Sequence, residues 1–339
     1  MRLDSFNLKS NNFDLIRLLA AILVIYGHSK AVTQSGPNDF FLDIIGFRFI
    51  GGVSVAIFFF ISGFLVTSSA LNSTLKYYIS SRILRIYPGL LLMLMVSILI
   101  IGPIFTTSSN YWSFETVKYF LVNFSTLSTE HFLPGVFEQN PNHGVNGSLW
   151  SISLEIKMYL ITILLFLLPK NNKYIFNLSF FSLIFIGKFT HFFEIFFHPD
   201  HIEFIFFYLI GAFAYINRNS IVINAPLFFL FLMMSGPFLH QKDFVYFYPI
   251  LISYSVLLFS YGFPKINLPN WKGLNWIKGD YSYGIYLFGW PALQINYILF
   301  PGISNFTLSI FSIIFALLYA FFSYKFIEKP FLSCKSFFK

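Results

Sequence analysis

The chemistry this chain can do rests on a histidine, a carboxylate and three arginines, all set in or beside apolar segments. The stretch Phe13–Thr33, FDLIRLLAAILVIYGHSKAVT, is long enough to cross a bilayer yet carries Asp14, Arg17 and His28. Arg17 and His28 are eleven residues apart. Eleven helical steps turn through about 1100°, three turns and roughly 20°, so both side chains leave one face, ~16 Å apart along the axis. An ionisable residue inside a span is costly and faces protein or water. The pair predicts a polar passage through a helical bundle. The plainer alternative is an arginine reaching to the headgroups and a histidine bonded to a neighbouring helix. A second segment opens with Asn146-Gly147-Ser148-Leu149-Trp150-Ser151-Ile152-Ser153-Leu154-Glu155. With Ser148 as N-cap and Trp150 at the outer interface, Glu155 lies about seven residues in, or roughly 10 Å deep. His28 lies about five residues from the outer end of its own span, roughly 8 Å deep. A histidine and a carboxylate at one depth in two helices predict a general base and the group that orients it and fixes its tautomer. The structural alternative pairs Glu155 with Lys157 or another helix.

Three further stretches carry polar groups in apolar surroundings. Arg82-Ile83-Leu84-Arg85-Ile86-Tyr87-Pro88 puts two arginines on one helix face at a membrane edge. Guanidinium forks suit phosphates, and the same pair also serves as a positive-inside anchor. Ser62-Gly63-Phe64-Leu65 either adds a hydroxyl to a polar lining or lets two helices pack closely. Gly279-Asp280-Tyr281-Ser282-Tyr283-Gly284-Ile285-Tyr286-Leu287 distributes hydroxyls around a helix that Pro291 kinks, as a lined cavity requires. His131, His143, His198 and His201 lack metal-ligand spacing, so solvated loops are expected and no metal. The single cysteine, Cys334, excludes an intramolecular disulfide and stands in the tail, a poor place for a nucleophile.

The elements that must position these residues follow from composition. Hydrophobic residues make up 56% of the 339 and charged residues 11%, against about a quarter charged in a soluble domain. The fold class expected is all-α, a polytopic membrane bundle of about ten transmembrane helices. The segments fall at roughly 13–33, 50–70, 83–103, 149–168, 174–190, 202–217, 221–239, 245–262, 281–300 and 304–326. The first carries charges and no A-x-A exit, so it reads as a retained span rather than a signal peptide. Val117 to Phe124, in the long loop after the third segment, reads as a short interfacial helix. With the N-terminus in the cytoplasm, Lys30, Arg48, Lys118, Lys188 and Lys242 fall outside. Arg17 and Lys157 lie in spans, and the other fifteen of the 22 basic residues fall inside. That asymmetry predicts both termini cytoplasmic. It also accounts for the net charge of +8 without any nucleic-acid partner. Residues 10–330 are expected to form one transmembrane domain with no appended soluble domain.

Five motifs stand in one order: Arg17 with ten residues then His28; Ser62 to Leu65; Arg82-x-x-Arg85 with Ile-Tyr-Pro; Leu149-Trp150-Ser151 leading to Glu155; and Ser282 to Leu287. Together they resemble the bacterial acyltransferase 3 family, membrane enzymes that acylate surface sugars and related acceptors. The resemblance covers about residues 10 to 330. It implies ten spans in the bacterial inner membrane and an acyl-CoA donor, acetyl-CoA above all, as co-substrate with no resident cofactor. It further implies a hydroxyl of a surface or exported saccharide, O-antigen or lipid-linked saccharide among them, as acceptor. His28 and Glu155 would be catalytic; Arg17, Ser62, Arg82, Arg85, Trp150, Ser282 and Tyr283 would bind substrate. Ser62, Tyr283 and Tyr286 are the hydroxyls on offer to an oxyanion. Two departures stand out. Many relatives have a histidine two residues before the proline where this chain has Gly289, and Lys157 replaces another polar residue. The alternative from another class is a transporter or flippase for a lipid-linked saccharide, which also needs charges inside spans.

Overall fold

Long apolar runs in lipid must satisfy every backbone N–H and C=O internally, which leaves the helix as the local solution for each segment. The computed structural model describes residues 2–3, 10–164, 172–190, 192–241, 244–265 and 279–338. Lys242 and the end of the segment expected over 149–168 lie outside them. Among the described residues the regular structure is helical, and the β-type pairing consists of two isolated bridges, Arg2 with Val222 and Thr106 with Val136.

The principal helices are α1 (Phe13–Thr33), α2 (Ile50–Asn72), α3 (Leu75–Val96), α4 (Phe114–Ser125), α5 (Leu149–Ile163) and α6 (Lys173–Phe189). They continue with α7 (Ile202–Ile216), α8 (Ala225–Ser235), α9 (Phe244–Tyr261), α10 (Ser282–Leu299) and α11 (Asn305–Phe322). The bounds of α1 are those of its apolar segment. Every one of the ten segments contains a helix. Five helical stretches, Phe13–Thr33, Ile50–Asn72, Leu75–Phe105, Pro199–Ile216 and Asn305–Phe338, are long and apolar enough to cross a membrane. The chain is therefore a multi-pass helical membrane protein. Helix α3 begins well before residue 83 and continues through a π-helical stretch, Ser97–Ile101, so Arg82 and Arg85 stand inside a helix rather than at its start. The expected interfacial helix is α4. It exposes apolar side chains, Phe114 at 74% among them, as a helix lying in a headgroup layer would.

The chain divides into two compact units. The first comprises Met1–Ala20, Phe40–Leu75 and Met158–Lys278. Its centre is the crossing of α2 and α7, made close by two glycines. A side chain on Gly63 would strike the backbone of Tyr208, and one on Gly211 the backbone of Phe60 and Phe64. Phe13 packs on Phe64 and Tyr261, with ring centroids 5.5 Å apart in each case. Arg48 forms an ion pair with Glu203.

The second unit comprises Ala21–Asp39, Lys76–Lys157 and Gly279–Lys339. Its α10 is buried from Ser282 to Gly289 and again from Pro291 to Gln294. It packs on α11 through Gly284 against Ala320, through the stacked rings of Phe288 and Tyr319 (4.5 Å), and through Asn296, which donates to the Ser312 hydroxyl at 3.3 Å.

Candidate active site

Two polar centres lie along α10 in the second unit, one near Trp290 and one at its N-terminal end. At the histidine end, His28 Nδ1 is 2.7 Å from the Val24 carbonyl. A carbonyl only accepts, so Nδ1 carries the hydrogen and the neutral ring keeps its lone pair on Nε2. This corrects the expected tautomer control by Glu155: the backbone one turn earlier provides it. The Trp290 ring lies 5.5 Å from the imidazole, centroid to centroid, at 64°. Its indole N–H donates to the Gly144 carbonyl at 2.8 Å. Gln294 Nε2 donates to the same oxygen and to the Asn142 carbonyl, both at 2.7 Å. Asn140 donates to Gln294 Oε1 at 2.7 Å, and Asn142 to the Ala31 carbonyl at 3.2 Å. The loop before α5 is thus fastened to α10 and to the end of α1 around His28. At Gly289 a Cβ would come within 2.6 Å of Ile25 Cγ1. Gly289 is thus a close contact between α10 and α1.

At the arginine end, Arg85 bridges Asp280 at 2.5 Å, each side chain 17% exposed. Asp280 also accepts from the Ser282 hydroxyl and, at 3.2 Å, from the Ser282 N–H, which ties down the first turn of α10. One donor of Arg85 is therefore already engaged by Asp280, and the guanidinium is held by its acidic partner. The Arg82 and Arg85 guanidinium carbons lie 5.9 Å from the ring centroids of Tyr78 and Tyr283 respectively. Lys335 lies within electrostatic reach of both arginines. Lys76 meets the Phe338 ring at 5.8 Å, so the C-terminal turn lies against the start of α3. Three cations from two distant parts of the chain make a basic cluster suited to a polyanion.

Glu155 belongs between these centres. Helix α5 runs along α10 in a register set by three contacts. A Cβ on Gly147 would lie 2.7 Å from the Trp290 ring, Ser151 Oγ is 2.5 Å from the Tyr286 hydroxyl, and Glu155 interacts electrostatically with Tyr286 and Tyr283. Trp290 and Tyr283 are about 10 Å apart along the helix axis. His28 stands at the level of the first, and Glu155 interacts with Tyr286 and Tyr283. The register of α5 on α10 is set by Gly147 fitting under Trp290.

The remaining expected residues fall as follows. Tyr283 donates its hydroxyl hydrogen to the Ile86 carbonyl at 2.8 Å, which withdraws it as an oxyanion donor. The Ser148 N–H donates to Asn146 Oδ1 (2.9 Å), while Asn146 Nδ2 donates to the Leu287 carbonyl (2.9 Å); the start of α5 is held by Asn146 rather than by a Ser148 cap. Trp150 is half-buried in the first turn of α5. Arg17 and Ser62 belong to the first unit, Arg17 with Asp14 at 4.0 Å, and Ser62 beside the glycine crossing. Trp290, Gln294, Asp280 and Lys335 went unread in the sequence. Asp280 before Ser282 is a legible capping signal. Lys335 has none, being 250 residues from Arg85.

The second unit thus carries one buried helix with an imidazole toward one end and a cation cluster at the other. The family model described as an acyltransferase domain matches residues 10–325, and the chain belongs to that family: it is an acyltransferase. The resemblance carried by the five motifs holds, and the transporter alternative is set aside. An O-acetyl transferase of Shigella phage Sf6 is 29% identical over 306 residues, covering 85% of this chain and 86% of that protein. Nodulation protein 10 of Rhizobium leguminosarum biovar viciae is 30% identical over 160 residues, 44% of this chain and 42% of its own length. No solved structure matches the chain.

Proposed function

We propose that the enzyme moves an acyl group, acetyl first among them, from cytoplasmic acyl-CoA to a hydroxyl of a surface or exported saccharide, free or lipid-linked. The observation that carries this reading is the spacing of the two centres. Ser282, beside the Arg85–Asp280 pair, and Trp290, beside His28, are eight residues apart on one helix, roughly 12 Å. The pantetheine arm of coenzyme A runs about a dozen bonds from phosphate to sulfur, ~14 Å when extended. Phosphates held by Arg82, Arg85 and Lys335 therefore bring the thioester to His28. The name of the phage relative supports oxygen as the acceptor atom and acetyl as the group. The distribution of Lys and Arg supports a cytoplasmic arginine end, an inner-membrane location and both termini inside.

In the step itself, Nε2 of His28 takes the proton of the acceptor hydroxyl as its oxygen bonds to the thioester carbon. The tetrahedral intermediate expels sulfur, the C–S bond breaks, and the imidazolium returns its proton to the leaving thiolate. Ester and free coenzyme A result, and the ring is neutral again. Trp290 keeps the imidazole in place, and Val24 keeps its tautomer. The test is transfer of labelled acetyl from acetyl-CoA to the organism's surface saccharide by purified protein in nanodiscs. Ester formation dependent on both substrates is expected; a folded preparation that retains no coenzyme A and forms no ester would refute the reading.

A further inference from the structure

The mechanism above leaves one buried acid without a task. Glu328 is 1% exposed and closes the π-helical stretch Ser323–Glu328 that follows α11. The Ser323 hydroxyl donates to its Oε1 at 2.7 Å. Its Oε2 is buried with no hydrogen-bond partner among the described residues. Buried polar atoms are normally paired, so an orphaned carboxylate oxygen calls for an explanation. Wide helical turns of this kind are kept where they re-aim a side chain. The space for it comes from two other helices: a Cβ on Gly89 of α3 would lie 3.5 Å from Glu328 Cγ, and one on Gly284 of α10 would lie 3.6 Å from Oε1.

What faces this carboxylate is the arginine end. Gly89, against which Glu328 Cγ lies, is one helical turn beyond Arg85 on α3, and the Tyr283 ring packs on the same glycine 5.9 Å from the Arg85 guanidinium carbon. Arg85 already bonds Asp280, which is itself committed to Ser282. If Asp280 alone restrained it, an arriving phosphate would compete for the guanidinium against a single surface-edge partner. A second, fully buried carboxylate gives Arg85 an attraction that the phosphate does not displace, because water and ligand do not reach it.

We infer that Glu328 is a positioning residue of the donor site: with Asp280 it fixes the Arg85 guanidinium in the attitude that meets the nucleotide phosphates. This rests on the acyl-CoA reading above. It makes the C-terminal π-turn part of donor recognition although Glu328 touches no substrate.

Steady-state kinetics with two donors test it, acetyl-CoA and S-acetylpantetheine, the latter having no nucleotide phosphates. Glu328→Gln keeps the shape and removes the charge. It is expected to raise KM for acetyl-CoA about five- to tenfold, leave kcat within twofold, and leave KM for S-acetylpantetheine unchanged. In an Arg85→Ala background the same change is expected to have no further effect on KM. An equal rise for both donors, a fall in kcat alone, or an undiminished effect without Arg85 would overturn the inference. Should Glu328→Gln not yield folded protein by thermal melting, Ser323→Ala, which frees Oε1, is expected to raise KM for acetyl-CoA alone by two- to threefold, and no change there overturns it. Wild-type protein that is folded but does not bind coenzyme A would instead bring down the donor reading itself, and this inference with it.

Discussion

In the first unit, the motif Ser62-Gly63-Phe64-Leu65 sits where α2 meets α7, and the residue that matters there is the one without a side chain. Gly63 and Gly211 bring two backbones together, and Phe13, Phe64, Tyr215 and Tyr261 fill in around them. In the second unit, the motif Ser282 to Leu287 sits on a helix equally buried, yet its neighbours are charged or hydrogen-bonding: Arg85, Asp280, Glu155, Glu328, the Asn146 amide and the Ser151 hydroxyl. Both are membrane-protein solutions to close packing. Small residues gain contact through dispersion where lipid offers no hydrophobic drive; polar groups become affordable only where each finds a partner inside the bundle. The first arrangement suits a scaffold and the second suits a reaction.

That contrast has consequences that measurement can break. The largest effect is expected at His28. His28→Ala removes the base and should lower the transfer rate by about 10²–10⁴-fold, while coenzyme A binding stays within twofold by calorimetry. Retained activity would move the chemistry elsewhere. Next comes Gly63→Leu in the scaffold. Overpacking a crossing costs ~1–3 kcal/mol, so its melting temperature should fall, with KM unchanged for the fraction that folds. A normal melting curve with a raised KM would erase the distinction between the units.

Arg85→Ala should raise KM for acetyl-CoA by about tenfold, since charge-assisted bonds to phosphate are worth ~1.5–3 kcal/mol. An unchanged KM would reduce the basic cluster to a membrane anchor. The smallest effect is expected from Glu155→Gln. Val24 and not Glu155 sets the His28 tautomer, so kcat should fall by no more than about tenfold. A loss as deep as that of His28→Ala would restore a direct partnership between the two.

Much of this was legible in the chain itself. The bounds of α1 followed from one apolar run, because a helix in lipid begins and ends where its apolar residues do. The two arginines three apart, the serine–glycine pair and the run of hydroxyls before Pro291 marked the right helices. Of these, the packing alternative for Ser62-Gly63 holds at Gly63, which meets the Tyr208 backbone. The span ends give only depth from a headgroup boundary, which takes no account of how two helices slide along each other.

By itself, then, the sequence determined that the protein is helical, that it crosses a membrane more than once and that it belongs to the acyltransferases, and it singled out His28. All of these depend on local composition, on period or on motifs in linear order. Only the tertiary structure decided who partners whom. Asp280 reaches Arg85 across 195 residues, Lys335 returns to the same arginines, Trp290 is set against His28 by Gly144 and Gly147, and Glu328 is enclosed by two glycines on other helices. Such contacts follow from the relative rotation and register of whole helices, which single close approaches such as Gly289 on Ile25 select, and no periodicity within one segment encodes them.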